Sequence, residues 1–131
     1  PDVVRIPDSG IVTLAFEDGS VGTTLIASAG CKAFPKEATE IYCDHRTICI
    51  NDFREMEWCG FGEQPRETAR LDASDKGQAV EVDRFADAIL NDSDPPNGIV
   101  QAARAAVISF MVNESIAACA PVPIREQDYC F

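Results

Sequence analysis

Six cysteines, Cys31, Cys43, Cys49, Cys59, Cys119 and Cys130, are the residues of this chain with the clearest capacity for covalent chemistry. Four lie between positions 31 and 59, in a stretch that also holds the only tryptophan, Trp58, and the only histidine, His45. Structural zinc sites bring their ligands in close pairs such as C-x2-C, whereas the gaps here hold 11, 5, 9, 59 and 10 residues. No C-x-x-C is present for redox work. An even count in a short acidic chain therefore reads as a disulfide framework formed in an oxidising compartment, with free buried thiols as the competing reading. Six cysteines admit fifteen pairings, and spacing does not choose among them. The penultimate position of Cys130 favours at least one long-range bridge tying the C-terminus to the 31–59 region, worth roughly 4 kcal/mol in the chain-entropy picture.

Asp44-His45-Arg46 offers a second kind of chemistry. A histidine flanked by an acid and a guanidinium can act as general acid beside a phosphate or carboxylate clamp, with Glu40, Glu55 and Arg54 as further members. The set His45, Arg46 and Glu55 is the core of a ribonuclease-like hydrolase reading. Contiguous residues in a turn point in different directions, so exposed turn residues are the simpler reading. Ser28 has no nucleophile-elbow context, and no phosphate-binding glycine loop occurs. Asp92 and Asp94 lack the glycine and distal glutamate of a calcium loop, and Glu55 with Glu57 makes no better acid pair. No metal or cofactor is expected. Asn91-Asp-Ser93 and Asn113-Glu-Ser115 are glycosylation sequons, the first in an exposed linker and the second inside a predicted helix.

A formal charge of -11 without any cluster of Lys and Arg excludes nucleic acid as a bulk electrostatic partner and opposes adsorption to anionic lipid. The longest nearly uncharged run, residues 98–113, is too short for a membrane span. The N-terminal residues show no charged start followed by an apolar segment, so a secreted chain would already have lost its signal. At 131 residues the chain fits one domain, 1–131.

The elements that must position these residues follow from periodicity. Residues 11–27 alternate around Asp18-Gly19, which predicts a β-hairpin with a primed turn and, since both faces are apolar, cover on each side. Pro35 opens a short helical turn over 36–40. Residues 39–43 and 47–51 read as strands around 44–46. Asp52, three residues ahead of Glu55, together with the spacing of Phe53, Met56 and Cys59, predicts a two-turn helix stopped by Gly60, with Trp58 as a core anchor. Residues 60–77 read as one long polar loop and a first choice for a binding surface. Val82, Phe85, Ala86, Ile89 and Leu90 form the stripe of an amphipathic helix ended by 91–98. A longer helix spans 99–118, with Ile99, Ala103, Ala106, Val107, Phe110 and Met111 on one side, residues 107–112 being the part that also suits a buried strand. Residues 122–131 return as an edge strand or extended tail.

The sum is an α+β fold: a small disulfide-stabilised single domain, rich in β-hairpins in its first half and with two helices in its second. In composition the chain resembles the short secreted proteins that pathogens and fungi use as effectors, toxins and inhibitors, a likeness that transfers no residue. The expected function is binding of a protein or surface ligand outside the cell, through residues 60–77 or the 44–46 turn, with virulence as its setting and catalysis the lesser expectation. The alternatives are the His45 hydrolase and, in a bacterial source, a periplasmic inhibitor or immunity protein.

Overall fold

The computed structural model describes residues 9–129. Its elements, in order, are β1 (Gly10–Ala15), β2 (Val21–Ile26), β3 (Ala38–Cys43), β4 (Arg46–Asn51), β5 (Glu55–Cys59), β6 (Arg66–Arg70), α1 (Gln78–Leu90) and α2 (Ile99–Ala118), followed by a single 3-10 turn at Glu126–Tyr129. Two sheets and two helices make this an α+β chain. The chain divides into two compact units, one centred on Leu25–Gln78 and the other combining Ile11–Thr24 with the chain from Ala79 onward.

β1 and β2 form the expected hairpin. Its turn differs from the expected primed type. Gly19 donates its N–H to the Phe16 carbonyl and Phe16 donates to Ser20, each at 3.0 Å, while of the turn residues only Gly19 has a positive φ, +85°. That is a type I turn closed by a glycine bulge, the usual device of a longer hairpin loop. Asp18 locks it by accepting the Ser20 backbone N–H at 2.9 Å and the Ser20 hydroxyl at 2.7 Å. Ile11, Val21, Leu25 and Ile26 are exposed while Val12 and Leu14 are half-buried, so among the described residues the cover expected on both faces is incomplete.

The Leu25–Gln78 unit is a four-stranded antiparallel meander in the order β3-β4-β5-β6. Asp44 and His45 both adopt positive φ, +48° and +59°, and so build a primed two-residue turn between β3 and β4. The predicted helical turn at 36–40 is absent, because β3 already begins at Ala38 and Ile41, Tyr42 and Cys43 favour extended backbone. The predicted helix at 53–59 is likewise a strand. Asp52 and Phe53 take φ of +51° each and reverse the chain, Arg54 donates to the Asn51 carbonyl at 2.9 Å, and Glu55 pairs with Asn51. The alternation Glu55, Met56, Glu57, Trp58 is a period of two, and it outweighs the helical spacing of Phe53, Met56 and Cys59.

Residues 60–77 are not one loop. Arg66–Arg70 pairs with β5, and cross-strand ion pairs join Arg66 to Glu57 and Arg70 to Glu55, the latter at 3.1 Å. The chain beyond β6 is tied to the β4–β5 turn. Asp75 donates its N–H to the Phe53 carbonyl at 2.9 Å, the Ser74 hydroxyl donates to the Asp52 carbonyl at 2.5 Å, and Lys76 reaches Glu37 at 2.6 Å.

In the second unit α1 and α2 appear where the periodicity places them, and residues 107–112 are helical. Both helices end in the same way. Asp92 (φ +50°) donates to Ile89 and Ser93 to Ala88, while Cys119 (φ +50°) donates to Ile116 and Ala120 to Ser115, so each left-handed residue closes a Schellman motif. The buried apolar residues among those described are Ala88 and Val107. The predicted α1 stripe of Val82, Phe85, Ile89 and Leu90 is exposed, and on α2 the less accessible stripe is Ala103, Val107, Ile108, Met111, Val112 and Ser115, with Ile99 and Phe110 outside it. No described helix is long and apolar enough to cross a membrane. Of the tail expected as an edge strand or extended segment, the described residues 122–129 form no strand. Its 3-10 turn lies against α2, with the Arg104 guanidinium 5.8 Å from the Tyr129 ring centre.

Candidate functional site

Directly opposed residues of an antiparallel pair share a face, so the register sorts the meander into two chemically different surfaces. One carries Glu40, Tyr42, Thr47, Cys49, Glu55, Glu57, Cys59, Arg66, Thr68 and Arg70, and the other Ile41, Cys43, Ile48, Ile50, Met56 and Trp58.

On the polar face two of the three carboxylates, Glu55 and Glu57, are paired with arginines, and the third, Glu40, accepts a phenol. Glu57 meets Arg66, whose guanidinium is pushed further up by that hydrogen bond and by the nearby carboxylate charge. The Tyr42 hydroxyl donates to Glu40 at 2.8 Å, and the same contact raises its pKa. Cys49 sits between them. Desolvation and then the Glu40 and Glu57 charges raise its thiol pKa, which keeps it protonated and a poor nucleophile. A shallow groove of about 260 Å³ beside it is lined by Cys49, Asn51, Glu55, Glu57 and Arg70 among others. That is below the usual volume of a small-molecule site.

The hydrolase set does not assemble. His45 occupies the β3–β4 turn, whereas Glu55 pairs with Asn51 at the far end of β4, about 17 Å away at the rise of a strand. Asp44 turns to Arg46 at 3.6 Å, Glu40 is engaged by Tyr42, and Arg54 donates to the Leu71 carbonyl at 3.2 Å.

What the structure does bring together is the two stretches that sequence offered as contact regions. The Arg46 guanidinium, at the end of the 44–46 turn, lies 5.6 Å from the ring centre of Phe61, in the 60–77 stretch. Gly60 makes the approach possible: its φ is +82°, and a Cβ there would lie 2.9 Å from the His45 carbonyl oxygen. Phe61 then closes an apolar groove of about 250 Å³ with Ile48, Met56 and Trp58. Trp58 is half-buried there, on a strand, where a helix-borne core anchor was expected. Met56 and Phe61 are exposed, and Ile41, also exposed, extends the surface along β3. An arginine stacked on a ring at the rim of a Met-Trp-Phe groove has the composition of a protein-binding surface. The sequence alone assigned no contact role to Phe61, Met56, Arg66 or Arg70. The alternation at 55–59 and the Glu-x-Glu of β5 facing the two arginines of β6 were the signals.

The register also bears on the cysteines. No disulfide joins the five described ones, and Cys130 lies outside the described residues. Cys43 stands on the face opposite Cys49 and Cys59, which share a face on neighbouring strands but are two positions out of register. Comparison with protein-family models, with curated proteins and with solved structures gives no match for this chain.

Proposed function

We infer that this chain is a secreted, disulfide-bonded binding protein of the effector, toxin or inhibitor kind, and that it recognises a protein through the Arg46–Phe61 rim and the groove of Ile48, Met56 and Trp58. One observation carries the reading: a Met, Trp and Phe cluster, ringed by a stacked arginine, stays accessible on a hydrogen-bonded sheet. Apolar groups exposed together on a rigid surface mark interaction sites, and aromatic and arginine residues supply most of the energy of such contacts. The even cysteine count supports the extracellular setting.

The test is photocrosslinking. A benzophenone side chain at position 61, with position 80 of α1 as control, is irradiated in the protein mixture the chain meets in its natural setting. A discrete adduct formed from position 61 and lost in Arg46→Glu is the expected result. Absence of any adduct, joined to a nuclease activity abolished by His45→Ala, would replace recognition with the hydrolase.

A further inference from the structure

We propose that the outer edge of β3 pairs antiparallel with β3 of a second copy of this chain, Ile41 facing Ile41 across a twofold axis, so that two meanders join into one continuous sheet. Among the described residues nothing pairs with that edge, and all six residues of β3 are exposed.

The two edges of the meander are protected differently. β6 carries Arg66, Glu67 and Arg70, and charge along an edge discourages pairing with another chain. β3 carries one charge, Glu40, and no proline or lysine, while its Ile41 and Tyr42 are 48% and 69% exposed.

Which backbone groups point outward follows from the turn. A two-residue loop makes its flanking residues, Cys43 and Arg46, a hydrogen-bonded pair, and such pairs alternate along the ladder. Cys43, Ile41 and Thr39 therefore bond inward to β4. The bond from the Asp52 N–H to the Glu37 carbonyl, at 2.6 Å, continues the same odd-numbered series one step further. The N–H and C=O groups of Ala38, Glu40 and Tyr42 are thus directed away from the sheet.

A second copy must present the same outward groups, which limits the registers to those pairing even-numbered residues with even-numbered ones. The twofold axis then runs perpendicular to the sheet, and the apolar faces of both copies lie on one side. Two such registers use the strand well. The first sets Glu40 against Glu40, a like-charge pair directly opposed. The second sets Ile41 against Ile41 and places Glu40 opposite Tyr42 of the second copy in a hydrogen-bonded pair. Glu40 already accepts the Tyr42 hydroxyl within one chain at 2.8 Å, so the dimer places two acids and two phenols in one patch. Hydrogen-bond phase admits both registers, and charge selects the second.

Sedimentation velocity on the intact chain, from micromolar to submillimolar concentration, should show a reversible monomer–dimer equilibrium. Ile41→Lys opposes two ammonium groups across the axis and should weaken association at least about tenfold, whereas Val80→Lys, on the exposed face of α1, should leave it unchanged. Hydrogen exchange on the unmodified chain gives a readout independent of the variants: the Glu40 and Tyr42 amides should slow as concentration rises, with the Ile41 amide slow throughout. A chain that stays monomeric over the range, an Ile41→Lys variant that dimerises as the parent does, or Glu40 and Tyr42 amides insensitive to concentration would each overturn the proposal.

Discussion

Replacing Gly60 by alanine tests how the rim is held, because two separable costs meet at that position. The first is conformational: φ of +82° lies in the left-handed region, where a Cβ costs about 1 kcal/mol. The second is steric. The new methyl would lie 2.9 Å from the His45 carbonyl oxygen and 3.4 and 3.5 Å from Arg46 Cγ and Cα. The close atom belongs to backbone in a two-residue turn and cannot swing aside, so overpacking adds about 1 to 3 kcal/mol. Two glycines of the same unit separate these contributions. Gly77 has φ of +79° with nothing within 4 Å of its Cβ position, so Gly77→Ala carries the conformational cost alone. Gly30 has open space and no positive φ, and Gly30→Ala should be close to neutral. The assay is urea unfolding followed by the fluorescence of Trp58, the only tryptophan, which lines the groove beside Phe61. With a slope of about 1 to 2 kcal/mol per molar for a small unit, the Gly60→Ala midpoint should fall by at least about 1 M and clearly more than that of Gly77→Ala. Equal losses in Gly60→Ala and Gly77→Ala would refute the steric contact, and with it the packing of residues 60 and 61 against the 44–46 turn.

Non-reducing peptide mapping of the oxidised chain should find no bridge from Cys43 to Cys49 or to Cys59, since the register sets them on opposite faces. In the reduced chain, alkylation of Cys49 should become fast only above the ordinary thiol range, because burial and the charges of Glu40 and Glu57 raise its pKa. The folded pKa exceeds the unfolded one, so this group's contribution to stability is complete below the unfolded thiol pKa and declines as pH rises toward the folded value; alkaline unfolding of Cys49→Ser under reducing conditions checks the sign. Asp18 behaves oppositely. Its bonds from Ser20 depress its pKa, so its support for the β1–β2 turn is present above about pH 4 and fades as pH falls through the lower folded value, a loss that Asp18→Asn should abolish when the hairpin amides are followed by NMR. Asp92→Gly removes a left-handed non-glycine from the end of α1 and should stabilise by about 0.5 to 1 kcal/mol in thermal unfolding followed by circular dichroism.

Much of the fold is legible in the sequence because strong local signals coincide with the final backbone. The alternation around Asp18-Gly19 fixes a hairpin even though the turn type is misread, since glycine at the third loop position serves a bulge as readily as a primed turn. The stripe from Val82 to Leu90 fixes a helix, but it does not show which side is covered: the buried residue of α1 is Ala88, off that stripe. Local hydrophobicity reports the capacity to be buried, and neighbours decide whether it is used. β6 is the harder case. Arg66–Arg70 has no apolar alternation, and its place in the sheet comes from backbone pairing reinforced by two ion pairs, which only become visible once the partner strand is known.

Whether the candidate site is legible in the sequence turns on the number of strands in the meander. In an antiparallel meander, alternate connections lie at the same end of the sheet, so the β3–β4 turn must meet the β5–β6 connection, while the β4–β5 turn meets the chain leaving β6. Both meetings occur. Arg46 stacks on Phe61 at one end, and Asp75, Ser74 and Lys76 close on Asp52, Phe53 and Glu37 at the other. Reading residues 53–59 as a helix removes one strand from the count and sends residues 60–61 to no particular end. The two stretches 44–46 and 60–77 then look like rival contact regions. With β5 restored they become one surface, built by strand count before any side chain is considered, and Gly60 is the position where that surface is most easily broken.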